Sequence, residues 1–272
     1  MPADNGGGSA LANMRLSNKS IIVTGSTTGI GEAIARRCVA EGAKVLIHGL
    51  ERELGEKVAS GLGDSAAALH IDDLADAAAP ARVVAAAVRA FGKIDAIVNN
   101  AAWIVRSNIS TTDAALFDRA IAINTRAPLL MIREALPMLK ASEGCVLNIG
   151  SVNAYCGEAN QLAYSISKGA LMTLTRNLAD ALGRDKVRIN QLNPGWVLSE
   201  NEYKLKMREG LPPDWPDHPP LAFAPSGKLM MPATIAEAAV YWLSDESRPV
   251  SGSVFDINQY PMIGRNPIKS PT

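Results

Sequence analysis

The chain has 272 residues, and its 27 basic and 27 acidic side chains cancel to a formal net charge of zero. With 47% hydrophobic and 20% charged residues, it carries enough apolar material for a sizeable core, which excludes global disorder. It has no basic field for binding nucleic acid or an acidic membrane surface, and neither is expected as a partner.

Residues 1–15 are expected to be a flexible tail, Gly-rich at the start and without the charged-then-apolar plan of a signal peptide. Residues 20–24 form a short apolar run suited to a buried strand. The run enters Gly25-Ser26-Thr27-Thr28-Gly29-Ile30-Gly31, then a helical stripe through Ile34, Cys38 and Val39 that Gly42 closes. A second strand at 44–48 completes a βαβ unit. The pattern repeats with a strand at 68–71, an Ala-rich helix at 81–91 and a strand at 94–98, ending in Asn99-Asn100-Ala101-Ala102. A helical region over 113–140, a strand at 144–149, a helix at 162–182 and strands at 187–192 and 254–257 follow. Such alternation predicts a parallel sheet covered by helices on both faces.

One stretch breaks the rhythm. Six prolines cluster between 210 and 225, beside a helical-looking 200–208. The segment 198–228 is read as a substrate lid, with a passive surface excursion as the alternative. No run is long enough to span a bilayer. Cys38, Cys145 and Cys156 are odd in number and lack metal-ligand spacing. Free thiols in a reducing, cytoplasmic compartment are therefore expected, and no metal site.

Two clusters carry chemistry. Tyr164 and Lys168 stand at i and i+4 and emerge from one helix face. An ammonium beside a phenol favours the phenolate, so the pair predicts a general acid/base with its pKa drawn toward neutrality. An ordinary helix surface has the same spacing. The glycine loop is Gly-x-x-x-Gly-x-Gly between a buried strand and a helix. Gly25, Gly29 and Gly31 there let backbone approach a pyrophosphate at a helix N-terminus.

Taken together, Thr24-Gly25-x-x-x-Gly29-Ile30-Gly31, Asn99-Asn100-Ala101-Ala102, Asn124, Ser151, Tyr164 with Lys168, and Asn193-Pro194-Gly195 resemble the short-chain dehydrogenases/reductases in order and spacing. The resemblance covers roughly residues 19–257 and implies a single domain over 16–272, a doubly wound, Rossmann-like parallel sheet of about seven strands. It implies reversible oxidation of a secondary alcohol to a ketone with NAD or NADP, in a homotetramer or homodimer. Tyr164 would exchange the hydroxyl proton, Lys168 would lower its pKa and hold the nicotinamide ribose, and Ser151 would orient the reacting oxygen. Asn124 would hold a water behind the lysine. Thr27, Thr28 and Ile30 belong with the glycines of the phosphate loop. Asp73, followed by Leu74, would accept from the adenine amino group, and Asn100, Ala101 and Ala102 would line the ribose and adenine. Pro194, Gly195 and Val197 would seat the nicotinamide, with Ser199 nearby. Read one at a time, Asn124 could tie down a helix, Ser151 could end a strand and Asp73 could cap a helix.

Cofactor choice rests on His48-Gly49-Leu50-Glu51-Arg52. Gly49 occupies the family's usual acidic position and Leu50 its usual arginine position, so neither discriminator is present. The loop offers Thr27-Thr28 without a cation and Glu51 is close by, which favours NAD. The family's terminal Asp-Gly-Gly turn is replaced by Asp256-Ile257-Asn258-Gln259-Tyr260, so the chain must leave its last strand by another path.

Asn153, Tyr155, Glu158, Asn160 and Gln161 lie between the serine and the tyrosine, with Trp103 and Trp196 expected on the other side. Hydrogen-bonding groups with aromatic walls suit a sugar or polyol. The alternatives are an NADPH-dependent carbonyl or ketoacyl reductase, and a non-catalytic dinucleotide-binding regulator.

Overall fold

The computed structural model describes residues 14–263. In chain order these form β1 (Ser20–Val23), α1 (Gly29–Ala40), β2 (Lys44–Gly49), α2 (Arg52–Leu62), β3 (Ala67–Ile71), α3 (Ala79–Phe91) and β4 (Ala96–Asn99). Then come α4 (Ala114–Ile121), α5 (Ala127–Ala141), β5 (Cys145–Ile149), α6 (Leu162–Ala181), β6 (Arg188–Pro194), α7 (Glu200–Arg208), α8 (Pro232–Leu243) and β7 (Val254–Ile257). The seven strands make one parallel sheet in the order β3-β2-β1-β4-β5-β6-β7. This is the expected doubly wound fold.

The strands read as unbroken apolar runs because both faces are covered. Successive side chains still alternate. Ile21 and Val23 of β1 and Val45 and Ile47 of β2 enter the core beneath α1 and α8. Ile22 and Leu46 point the other way, into the core beneath α3 and α5. The chain order reverses between β1 and β4, and a crevice opens there beyond the carboxyl ends of the strands, where open α/β sheets bind ligands.

Three details differ from the sequence reading. The helical region over 113–140 is interrupted by a π turn at Ala122–Arg126, which carries Asn124. Two helices, α2 and α8, were not foreseen. In α2, Gly55 and Gly61 dilute the helical pattern, and only Gly55 and Val58 are buried; a Cβ at Gly55 would lie 2.7 Å from Leu69, so packing against β3 overrides helix propensity. In α8 a nearly continuous apolar run conceals the helical period. Of the expected tail, residues 1–13 lie outside the described residues. Arg15 is paired with Glu246 at 2.6 Å, and its N–H donates to Glu41. Among the described residues no helix is long and apolar enough to cross a membrane, and no cluster of three metal-ligating side chains occurs.

Candidate active site

A cleft of about 740 Å³ runs across the carboxyl ends of the central strands. Its nucleotide end is built around the turn from β1 into α1. Gly25 and Gly29 have φ of +62° and +60°, a conformation that favours glycine. A Cβ on Gly31 would stand 2.1 Å from the Gly25 carbonyl oxygen, so Gly31 lets the helix close onto its own loop rather than lining the cleft. Asn100 ties that loop to β4, its Nδ2 donating to the carbonyls of Thr24 and Gly25 at 2.9 Å each. Thr28 stands at the N-cap of α1 and makes no side-chain cap bond, leaving the positive end of the helix facing the cleft. Glycine cradle and open helix terminus fit the pyrophosphate of a dinucleotide.

Thr27, Ile30, Leu50, Asp73, Leu74, Ala101 and Ala102 line the same end. Asp73 accepts from the Ala75 N–H at 2.9 Å and faces Arg119 at 3.6 Å. At Gly49 a Cβ would meet Thr27 Oγ1 at 2.5 Å, so the position has no space for an acidic side chain. Thr27 Oγ1 instead donates to Glu51 Oε2 at 2.7 Å, which brings a carboxylate to the rim two residues later. Beneath it His48 is buried and neutral, its pKa pushed down to about 4 chiefly by desolvation and further by His70.

The reacting end holds three of the predicted catalytic residues. Tyr164 lies in the first turn of α6, Ser151 just beyond β5 and Lys168 one helical turn after the tyrosine. Tyr164 is hydrogen-bonded to the Ser151 side chain, which acts to lower its pKa. Burial prevails, and the phenol is pushed up to about 12. Lys168 is also buried; its Nζ donates to the Ile149 carbonyl at 2.7 Å and lies 5.7 Å from the phenol ring centre. Desolvation brings the lysine down to about 7. The expectation that the lysine draws the phenol toward neutrality is therefore corrected. Burial favours the neutral amine over the ammonium at Lys168, and the phenol meets a desolvation penalty of its own.

Asn124 does not line the cleft. From the π turn its Oδ1 accepts from the Trp103 N–H at 2.7 Å, and its Nδ2 donates to the Trp103 carbonyl and to Ser167 Oγ. Ser167 Oγ in turn donates to the Tyr164 carbonyl at 2.6 Å. The chain of bonds ties the wall around Trp103 to the first turn of α6.

Pro194 ends β6, and Gly195, Val197 and Ser199 follow it onto the cleft lining, Ser199 standing against Gly29 of the glycine loop. Asn153 and Gln161 form a polar wall, with Asn153 Nδ2 and Gln161 Oε1 3.4 Å apart; Glu158 and Asn160 join them on the lining. Tyr155, expected with this set, turns instead toward Asp256 and Asn193. Trp103 lines the cleft beneath the Arg119 guanidinium, 5.4 Å from the ring centre. Trp196 stacks on Trp215 at 5.5 Å and donates to Glu202. Sequence reading missed Arg106, Lys206, Phe223, Tyr260 and Met262, all on the lining. Arg106 and Lys206 converge on Glu209 at 2.8 and 2.7 Å. No local pattern announces contacts between residues about a hundred positions apart.

The family model described as Enoyl-(Acyl carrier protein) reductase matches residues 25–259. The chain belongs to the short-chain dehydrogenase/reductase family. This dehydrogenase/reductase is 34% identical to 2-(S)-hydroxypropyl-CoM dehydrogenase 3 of Xanthobacter autotrophicus, over 90% of the chain and 96% of the relative. It is 32% identical to meso-2,3-butanediol dehydrogenase of Serratia marcescens, over 88% and 93%. Among solved structures, 3-ketoacyl-(acyl-carrier-protein) reductase from Brucella melitensis, complexed with NADH, superposes with a TM-score of 0.77 at 30% identity, covering 89% of this chain and 97% of that one. The chain is accordingly an NAD(P)-dependent oxidoreductase that interconverts a secondary alcohol and a ketone on a small-molecule substrate.

Proposed function

We propose that Tyr164 is the proton donor and acceptor of this reaction, and that its place beside the Ser151 side chain and one helical turn before Lys168, on the cleft lining, carries the assignment. Bound NAD(P) supplies the hydride acceptor or donor. Ser151 orients and polarises the reacting oxygen, since a hydroxyl can donate or accept as the direction demands. Lys168 holds the nicotinamide ribose, and Asn124 keeps the wall behind both residues in register. The glycine loop with Thr28 receives the pyrophosphate, Asp73 the adenine edge, and Pro194 to Val197 the nicotinamide face.

NAD is the preferred cofactor. Glu51, fixed by Thr27, would set a carboxylate against the charge of a 2′-phosphate, and the buried His48 on the same lining is neutral. The substrate is a sugar, polyol or similarly hydroxylated alcohol held by Asn153 and Gln161, with the 198–228 segment as its lid. Replacing both residues by Leu is expected to remove polyol activity, and retained activity would sink the polar-wall assignment. A homotetramer or homodimer is supported by the half-exposed Phe255 on edge strand β7 and by Tyr241 nearby on α8, and sedimentation velocity tests it. Free Cys38, Cys145 and Cys156 suit a cytoplasmic location.

The deciding experiment pairs Tyr164→Phe with a panel of sugars, polyols and simple secondary alcohols, reading nicotinamide absorbance and dinucleotide affinity. Loss of turnover by about 10²–10⁴-fold with cofactor affinity intact is expected of a lost acid/base group. Unchanged turnover would remove Tyr164 from that role. Dinucleotide binding without turnover in the unmodified protein, across the panel, would favour a binding regulator.

A further inference from the structure

After β7 the chain folds back over the cleft. The Gly195 N–H donates to the Ile257 carbonyl at 2.9 Å. The Asn258 side chain then fills the space above Gly195, where a Cβ would come within 2.2 Å of its Oδ1. Asn258 Nδ2 donates to the Tyr260 carbonyl at 3.2 Å and lies 3.3 Å from Met262 Sδ. Tyr260 and Met262 thereby become part of the cleft lining, on which Phe223 also stands. Between them Gln259 reaches the returning limb of the 198–228 segment. Its Oε1 accepts from the Ser226 N–H at 3.1 Å and from Ser226 Oγ at 2.7 Å, and its Nε2 donates to the Lys228 carbonyl at 2.6 Å. Three bonds from one side chain cross-link two segments that no strand pairing joins.

We propose that Tyr260 and Met262 are specificity-determining residues that form an apolar wall of the substrate chamber, and that Gln259 is a positioning residue pinning this wall to the returning limb. With Asn153 and Gln161 supplying polar contacts, the chamber accepts a secondary alcohol with one hydrogen-bonding arm and one short apolar arm. Tyr260 and Met262 limit the length of the apolar arm. The inference rests on the alcohol–ketone reading above and deepens it.

The experiment compares unmodified protein, Met262→Ala, Tyr260→Ala and Gln259→Ala on 1,2-diols whose alkyl arm lengthens from propane to octane. It reads kcat and KM, NADH affinity by fluorescence, and the rate of tryptic cleavage after Lys228. Met262→Ala and Tyr260→Ala are expected to raise kcat/KM for long-armed relative to short-armed diols by at least about tenfold, the lower end of what one methylene is worth in an apolar pocket. Gln259→Ala is expected to raise KM several-fold with kcat and NADH affinity held, and to speed cleavage at Lys228 several-fold. An unchanged chain-length preference in both wall variants would overturn the wall, and an unchanged cleavage rate the pin. If the unmodified protein oxidises no diol yet binds NADH, the substrate reading fails, and the cleavage arm still decides whether Gln259 holds the limb.

Discussion

Tyr164 and Lys168 both give up water at the reacting end, and their pKa values shift in opposite directions, each toward its neutral form. The phenol, at about 12, stays protonated at neutral pH and is ready to donate to a ketone. In the role proposed for Tyr164, alcohol oxidation draws on the phenolate, whose population rises with pH throughout the range below that value. Oxidation measured as kcat/KM is therefore expected to climb between pH 7 and 10, by at most about tenfold per unit, while ketone reduction does not climb. Parallel pH profiles in both directions check this, and a shared acidic optimum would contradict it. Glu51 yields a second outcome. Glu51→Arg exchanges repulsion for attraction at the 2′ position, and the NADPH-to-NADH ratio of Kd is expected to fall by about 10–100-fold, on the 1–3 kcal/mol scale of charge-assisted hydrogen bonds. Equilibrium fluorescence titration measures it without turnover. At Gly31 the obstacle is backbone, the Gly25 carbonyl, so Gly31→Ala is expected to cost roughly 1–3 kcal/mol, as overpacking does, and to lower Tm.

At the level of elements, α7 and the limb after it form a small body of their own. Trp215, Ala224 and Leu229 are buried together, with Trp196, Tyr203, Met207 and Leu211 packed on them, in a cluster separate from the two cores of the sheet. Trp215 stacks against both Trp196 and Tyr203. The ion pair of Arg106 with Glu209 joins this body to the loop after β4, with both side chains about a third exposed. At that exposure it contributes at most about 1 kcal/mol, so aromatic packing holds the body together. Trp215→Ala is expected to unsettle it while sparing the sheet. KM should rise by at least tenfold, with NADH affinity within a factor of about three, since the glycine loop is carried by β1 and α1, which pack in a core of the sheet, and meets α7 at its first turn through Asn201 and Thr28. Thermal unfolding by circular dichroism and steady-state kinetics on the same sample separate the two effects.

For the whole molecule, the buried His48 links stability to pH. Its folded value of about 4 lies below the ordinary 6.5, so the unfolded chain binds the proton first as pH falls. The stability of the neutral, buried histidine is fully present above about pH 6.5 and is lost on descending toward 4, by up to about 1.4 kcal/mol per pH unit. Urea melts at pH 7, 5.5 and 4.5 are expected to show this slope, and His48→Gln to flatten it.

Local sequence determined the architecture, and it marked the glycine loop and the Tyr164–Lys168 pair that the fold brings to one cleft. Seven apolar runs of strand length admit few other arrangements, because a strand buried on both faces requires helices above and below it. The glycine loop is legible from its place between strand and helix and the Tyr164–Lys168 pair from its spacing, whereas Asn100 and Ser151 are legible through the family resemblance. Tertiary structure decided what depends on neighbours distant in sequence. It set the direction of the Tyr164 shift, since desolvation is a property of the packed surroundings and not of an i, i+4 spacing. It closed position 49 to any side chain, because Thr27 fills that space, and it bound Glu51 to Thr27 Oγ1. It brought Arg106 to Glu209, and Tyr260 and Met262 to the cleft, through contacts that pair no adjacent residues and so leave no period in the sequence.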